Sequence, residues 1–397
     1  MRIDDGLHRL RPPAVGPFRE GAFDSPVHEI RTAAWLGVAL GVSFSVCFLT
    51  GLFSHLIQHP PVWFANPARP VWLYRVTQGV HVATGIASIP LLLAKLWVVY
   101  PHFFTMPPMR NVAHVLERVS LLPLVGGSVF LLFSGVASIA KWFPWRFSFP
   151  SAHYAAAWIT IGALVVHVGA KIGATRRAIT RPGREAEDAY RAADRDDGGL
   201  TRRGFLWTVG GATGVLTLTT VGQTFRPLSR LAVLAPRDPT VGPQGLPVNK
   251  TARSAGVVDA ATDPGYRLSV EGRVATPLSL SLDDLRAMPQ RDAGLPIACV
   301  DGWSASAWWR GVALRDLLAA AGAPVGSTVT VMSLQDQDAP YSSAVVEGAQ
   351  VTDPDTLLAL EVSGAPLDID HGFPLRLIGP NRPGVLQTKW VQKVVVG

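Results

Sequence analysis

Five apolar stretches dominate the first 226 positions of this chain, each long enough to cross the roughly 30 Å hydrocarbon core of a bilayer as a helix of about 20 residues. They fall near residues 33–57, 77–100, 116–142, 152–174 and 204–224. A lipid medium offers no water to backbone N–H and C=O groups, so segments of this kind have to be helical. The first four are joined by loops of moderate length, as antiparallel neighbours in a bundle are. Beyond residue 226 the character changes. Residues 227–264 are rich in Pro and Gly with little periodicity and read as an extended connector. Short apolar strands follow at 266–270, 328–332, 375–378 and 390–396, interrupted by short helices at 314–321 and 355–361, which predicts a mixed α+β domain. The expected organisation is a tail at 1–27, a four-helix membrane domain at 28–175, an arginine-rich loop at 176–203, a fifth span at 204–226 and an extracytoplasmic domain at 227–397.

Charge sets the orientation of these spans. The net charge of +7 comes from 36 basic against 29 acidic residues. The basic residues flank apolar segments and do not interleave with aromatics on the soluble part, which excludes nucleic acid as a partner and points to membrane lipid. Arg2, Arg9, Arg11, Arg19 and Arg31 precede the first span, Arg110 and Arg118 flank the second inner loop, and eight arginines lie between Arg176 and Arg203. The opposite loops carry only Arg69, Arg75, Lys141 and Arg146. A multi-pass protein of the inner membrane with a cytoplasmic N-terminus is therefore expected, with Trp63, Trp72, Trp142 and Trp145 near the outer interface. Arg202 and Arg203, followed by Gly204-Phe205-Leu206 and an apolar run, resemble a twin-arginine export signal. With no small-residue cleavage site after it, that segment is expected to stay as the fifth span.

Histidines inside the spans are the first chemical signal, because ionisable groups are costly in lipid and are kept there for function. His153 and His167 are 14 residues apart on the fourth span, close to four whole turns, so both face one side at depths about 21 Å apart. His81 on the second span is level with His153, and Gly85 one turn on leaves room for a flat macrocycle. An outer haem on His81 and His153 is expected, and an inner one on His167 with His28 as partner, His114 being an alternative to His28. His55 and His59, at the outer end of the first span, offer an alternative outer ligand. Position 95, 14 residues after His81, is Lys95 rather than histidine, so the pattern for two haems is not symmetric. His81-x-x-x-Gly85, the spacing of His153 and His167, and Thr50-Gly51-Leu52 make residues 28–175 resemble the cytochrome b subunits that connect periplasmic dehydrogenases and reductases to quinone. That resemblance implies b haem, one or two, and exchange of electrons with quinone or quinol.

The second signal is a single cysteine. Only Cys47 and Cys299 occur in the chain, so the soluble part can form no internal disulfide. Buried lone cysteines are usually small inert hydrophobes. Cys299, however, ends an apolar strand and begins a polar, glycine-containing turn, a place that presents sulfur to a cofactor, and thiolate is a soft metal ligand. The run Pro296-Ile297-Ala298-Cys299-Val300-Asp301-Gly302-Trp303-Ser304, then Trp309-Arg310-Gly311-Val312, resembles the molybdenum-binding segment of the sulfite oxidase family. Its likeness is greatest to the periplasmic methionine sulfoxide reductase branch. A second run, His371-Gly372-Phe373-Pro374-Leu375-Arg376 followed by Gly384 and Lys389-Trp390, extends the resemblance over residues 245–397.

The resemblance implies molybdenum on Cys299, held by molybdopterin. His371 and Arg376 would hold the pterin and its phosphate, Gln387, Thr388 and Lys389 would complete the anion site, and Asn249 and Ser333 would make further contacts. Arginine suits phosphate because its planar fork donates two parallel hydrogen bonds. Trp303, Trp308 and Trp309 surround the cysteine in sequence with only Arg310 close by, where sulfite-oxidising relatives need several arginines for a dianion. The expected reaction is oxygen-atom transfer, the reduction of a small-molecule or protein-bound sulfoxide or similar oxide by quinol. The alternatives are a sulfite dehydrogenase feeding quinone, and a haem conduit whose soluble domain merely docks a partner.

Overall fold

The computed structural model describes residues 16, 23, 25–104, 112–180, 201–224 and 226–397. Of the residues singled out above, Arg2, Arg9, Arg11, Arg19, Arg110, Arg181, Arg184, Arg191 and Arg195 lie outside these, as does the His114 side chain. Five long helices carry the apolar stretches: α1 (Ile30–Gln58), α2 (Leu73–Val99), α3 (Val112–Ile139), α4 (Phe149–Thr180) and α5 (Arg202–Val221). Each contains a stretch long and apolar enough to cross a membrane. Pro90 and Pro123 sit inside α2 and α3. The Thr201 hydroxyl caps α5 by accepting from the Gly204 N–H at 3.0 Å.

The chain divides into two compact units, Met1–Leu49 with His81–Thr219, and Thr50–Val80 with Thr220–Gly397. In the first, α3 and α4 pack along each other. Lys95 of α2 reaches the α1 backbone, its Nζ donating to the Ala33 carbonyl at 2.5 Å. The opposing α1 residue is Gly37, where a Cβ would lie 3.3 Å from that ammonium. At the start of α5, Arg202 pairs with Glu29 at 3.3 Å.

The second unit is built on two five-stranded sheets. One has the order β2-β1-β10-β5-β6, from β1 (Leu268–Gly272), β2 (Leu278–Leu280), β5 (Val329–Ser333), β6 (Ser343–Val346) and β10 (Val391–Val396). Only β1 and β10 run parallel in it. The other has the order β3-β4-β7-β8 with β9 also on β7, from β3 (Gln290–Ala298), β4 (Ser304–Ala313), β7 (Leu357–Val362), β8 (Ala365–Pro366) and β9 (Arg376–Ile378). Alternation of buried and half-buried residues in β1 and β5 follows the two-residue period of a strand. Leu268, Val270, Val329, Val331 and Val394 interlock with Leu314 and Leu317 of the helix Leu314–Ala320. Each such fully buried aliphatic side chain contributes about 1.5–3 kcal/mol.

Two expectations need correction. Residues 355–361 are not a helix: Leu357–Val362 is strand β7, paired with β4, β8 and β9. Leucine and alanine from Leu357 to Leu360 favour a helix locally, but Leu357, Leu358, Ala359 and Val362 are all buried, as in a strand covered on both faces. The connector is not wholly extended either. It contains the short helices Ala252–Ala255 and Val258–Thr262, whose Ala252, Val257 and Ala261 pack on Trp390.

Residues 50–80 belong to this second unit through specific contacts. Arg69 forks onto Asp353 at 2.8 and 2.9 Å and reaches Asp355 at 2.5 Å, while Arg291 holds the other Asp355 oxygen at 2.8 Å. The Asn381 amide accepts from the Tyr74 N–H and donates to the Pro67 carbonyl, both at 2.6 Å. Ile57 and Tyr74 pack on Ala298, the residue before Cys299.

Candidate active site

Strand β3 ends at Ala298, and the turn to β4 is set by Gly302, whose φ of 95° strongly favours glycine. The Gly302 N–H donates to the Cys299 carbonyl at 3.1 Å and the Cys299 N–H to the Trp303 carbonyl at 2.9 Å. This turn aims Cys299, only 5 % exposed, at two polar groups. Its Sγ accepts from Asn249 Nδ2 at 3.0 Å and donates to Asp301 Oδ2 at 3.2 Å, and the same Asn249 nitrogen lies 3.2 Å from that carboxylate. Asn249 itself is exposed, so the sulfur is covered on that side by one movable amide.

A cluster of basic side chains comes from the last third of the domain. Arg376 on β9 is buried, donates Nη1 to the His371 carbonyl at 3.0 Å and lies 5.3 Å from the Trp309 ring centre. Burial lowers its pKa to about 10. Lys389 gives Nζ to the Asp370 carbonyl at 2.8 Å and to the Lys250 carbonyl, over the Trp390 ring. Burial first, then the charge of Arg376, pushes it down to about 7. His371 is buried with Nε2 donating to the Pro243 carbonyl at 2.6 Å, and burial lowers its pKa as well. Arg382, buried on the neighbouring loop, is also lowered to about 10 by burial.

Among the described residues no carboxylate lies within salt-bridge distance of Arg376 or Lys389. Arg376 Nε, Thr388 Oγ1 and Gln387 Oε1 are buried without a hydrogen-bond partner. Buried cations and donors left unpaired are expensive for a protein alone. They fit an anionic, hydrogen-bonding group such as the phosphate and pterin of molybdopterin. Ser333 is fully buried, and its hydroxyl donates to the Lys389 carbonyl at 2.8 Å, so it braces the lysine backbone. Lys250, Asp301 and Arg382 escaped the sequence reading. Only Asp301, two residues from the cysteine, carried a local signal.

Within the first unit, the rings of His81 and His153 have centres 6.4 Å apart. His81 Nδ1 donates to the Cys47 carbonyl at 2.8 Å. His153 Nδ1 donates at 2.8 Å to the Ser134 hydroxyl, which spends its own proton on the Leu131 carbonyl. Both rings thus carry their lone pair on Nε2, as metal-bound histidines do when a second partner fixes the tautomer. A metal–imidazole bond of about 2.0–2.1 Å, with the ring centre about 1.2 Å beyond the nitrogen, sets two rings on opposite sides of one metal about 6.4 Å apart. The 6.4 Å between the His81 and His153 ring centres equals that separation. Gly85 lies beside the Cys47 sulfur, where a Cβ would approach it to 3.7 Å. His28 sits elsewhere, with Nδ1 on the Val98 carbonyl at 3.2 Å and its ring against Tyr100 and Trp97. His167 is half-buried on α4. In the second unit the His55 and His59 rings lie tilted against each other with centres 4.9 Å apart.

Residues 255–397 match the family described as oxidoreductase molybdopterin binding domain. A relative from Azospira oryzae, named as a protein-methionine-sulfoxide reductase subunit, YedZ1, is 34% identical over 139 residues, 35% of this chain and 50% of that one. Sulfite oxidase of Gallus gallus is 32% identical over 167 residues, 35% of this chain and 36% of that one. Among solved structures, the sulfane dehydrogenase SoxCD of Paracoccus pantotrophus matches at 26% identity and a TM-score of 0.31, over 34% of this chain and 38% of that one. This chain thus spans half or less of the length of each of these relatives. The class that fold and site define is a molybdopterin-binding oxidoreductase. Its C-terminal domain is similar to sulfite oxidases.

Proposed function

We propose that the chain is a membrane-bound molybdenum enzyme that removes oxygen from a sulfoxide or a similar S- or N-oxide on the extracytoplasmic face, with electrons drawn from quinol through b haem. The observation that carries this reading is the buried Cys299 sulfur together with the buried Arg376 and half-buried Lys389, neither of which has a carboxylate partner among the described residues. Molybdopterin with its molybdenum would supply two-electron oxygen-atom exchange there. Cys299 would ligate the metal as thiolate, yielding the proton it now shares with Asp301. Arg376, Lys389, Gln387 and Thr388 would bind the pterin and phosphate, with His371 fixed by Pro243 and the Lys389 backbone fixed by Ser333. The Asn249 amide would cover the sulfur side of the site.

A neutral substrate is favoured over sulfite because Arg310, the arginine that follows Cys299 in sequence, is engaged by Asp292 at 3.1 Å on an exposed stretch of strand. That leaves it no part in holding a dianion. The name of the Azospira relative supports a sulfoxide as well. His81 and His153 would hold a haem that relays single electrons, and we assign one haem because theirs are the two span histidine rings brought to 6.4 Å of each other. Quinol is the natural donor for a chain with five apolar helices. The reading is tested with purified protein given either quinol and a methyl sulfoxide, or sulfite and quinone. Faster sulfoxide reduction is expected; faster sulfite oxidation would replace this reading with a sulfite dehydrogenase.

A further inference from the structure

The turn that carries Cys299 is gripped by residues from the membrane helices. Gln78 of α2 donates Nε2 to the Val300 carbonyl at 2.6 Å. Thr224, just beyond α5, donates its hydroxyl to the Gly302 carbonyl, and the Gln223 carbonyl accepts from the Ser304 N–H at 3.0 Å. Arg75 ties both sides together, reaching Ser306 Oγ at 3.0 Å and the Thr224 carbonyl at 3.4 Å. Around this junction four polar atoms are buried with no hydrogen-bond partner: Gln78 Oε1, Gln223 Nε2, Trp303 Nε1 and Ser304 Oγ. Their residues are 6, 1, 3 and 6 % exposed, well beyond the point where bulk water satisfies them.

Four orphans on residues of or bonded to this turn would cost several kcal/mol if left dry, at about 1–3 kcal/mol each. They are also chemically complementary. Gln78 Oε1 is an acceptor, its orientation fixed by the bond its amide gives to Val300; Gln223 Nε2 and Trp303 Nε1 are donors; Ser304 Oγ is both. Such a set suits internal water, which typically makes two to four hydrogen bonds to polar groups of this kind. Because Ser304 and Trp303 lie within five residues of Cys299, water held here borders the turn that presents the sulfur.

We propose that Gln78, Gln223, Trp303 and Ser304 hold a chain of internal water that carries protons to and from the Cys299 site. The inference rests on the oxygen-transfer reading. Reduction of a sulfoxide, R2SO + 2 H⁺ + 2 e⁻ → R2S + H2O, consumes two protons, and a substrate seated over the sulfur closes the mouth beside Asn249 to bulk solvent. A second route from the opposite side of the turn meets that demand. The four residues are positioning residues, because they touch water and the turn rather than the substrate.

The test uses the full-length protein and the variants Gln78→Met, Gln223→Met and Ser304→Ala, each checked for molybdenum content and haem absorbance. Turnover is expected to fall about tenfold, below the loss for a directly acting acid, with a raised solvent deuterium isotope effect and KM unchanged. Gln78→Asn, which keeps both an amide donor and an acceptor, should lose less of the rate than Gln78→Met. A high-resolution structure of the wild type should show ordered water on at least three of the four atoms. A dry junction, or variants with wild-type rate and isotope effect, overturns the proposal. Should the wild type oxidise sulfite instead, protons leave rather than enter, and the isotope effect tests the route in that direction. Should it bind no molybdenum, the oxygen-transfer reading fails while the water positions are still decided by the density.

Discussion

Lys389 offers a way to read the cofactor site from stability alone. Without an anion beside it, burial and the charge of Arg376 lower its pKa from an ordinary 10.5 to about 7. In the unfolded chain the ammonium regains the ordinary value, so between pH 7 and 10.5 the unfolded state binds more protons than the folded one. Stability therefore rises with pH across that window, by up to about 1.4 kcal/mol per pH unit, whereas below pH 7 both states are charged and the full penalty applies. For a domain of this size that slope corresponds to about 3–5 °C of Tm per pH unit. The measurement is thermal unfolding of the C-terminal domain within the full-length protein, made in cells that produce no molybdopterin, at pH 7, 8 and 9. The Lys389→Met protein supplies the baseline: the difference in Tm between the two should shrink steadily as pH rises. In protein loaded with cofactor the phosphate should keep Lys389 charged and remove the slope. A pH-independent difference in cofactor-free protein, or the same slope in loaded protein, would refute the reasoning.

Two further outcomes follow from the sites. Arg376→Met should leave cofactor-free protein about as stable as before, since the cost of burying an unpaired charge is lost together with the Nη1 bond to His371, but should deplete pterin and molybdenum by on the order of 10²-fold in affinity for two charge-assisted bonds; retained cofactor would contradict that role. His153→Ala and His81→Ala should each remove b-haem absorbance while molybdenum content stays, and a haem spectrum that survives both would move the ligands elsewhere.

Much of this arrangement was legible from local pattern. Five apolar runs predicted five long helices to within a few residues at most ends, because in lipid-like segments composition and length decide the structure. Cys299 stood out as a lone cysteine before a glycine-containing turn, and His371, Arg376 and Lys389 through the resemblance to the sulfite oxidase family. The residues that complete the sites did not, and the reason is sequence distance. Gln78 meets Val300 and Lys250 meets Lys389 across 222 and 139 positions. No periodicity records such encounters. Strand β7 failed for a related reason: leucines at successive positions fit a helix until β4 and β9 are placed on either side. The Cys47 carbonyl and Ser134 hydroxyl that orient the two histidines were likewise invisible until the helices were packed.

The central claim, a molybdenum atom bonded to the sulfur of Cys299, is most directly tested by X-ray absorption at the molybdenum edge on the wild type and on Cys299→Ser. The account predicts a molybdenum site that loses one sulfur neighbour in the variant, together with all turnover, while haem absorbance is kept. An unchanged sulfur count, or a wild type without molybdenum, would contradict it.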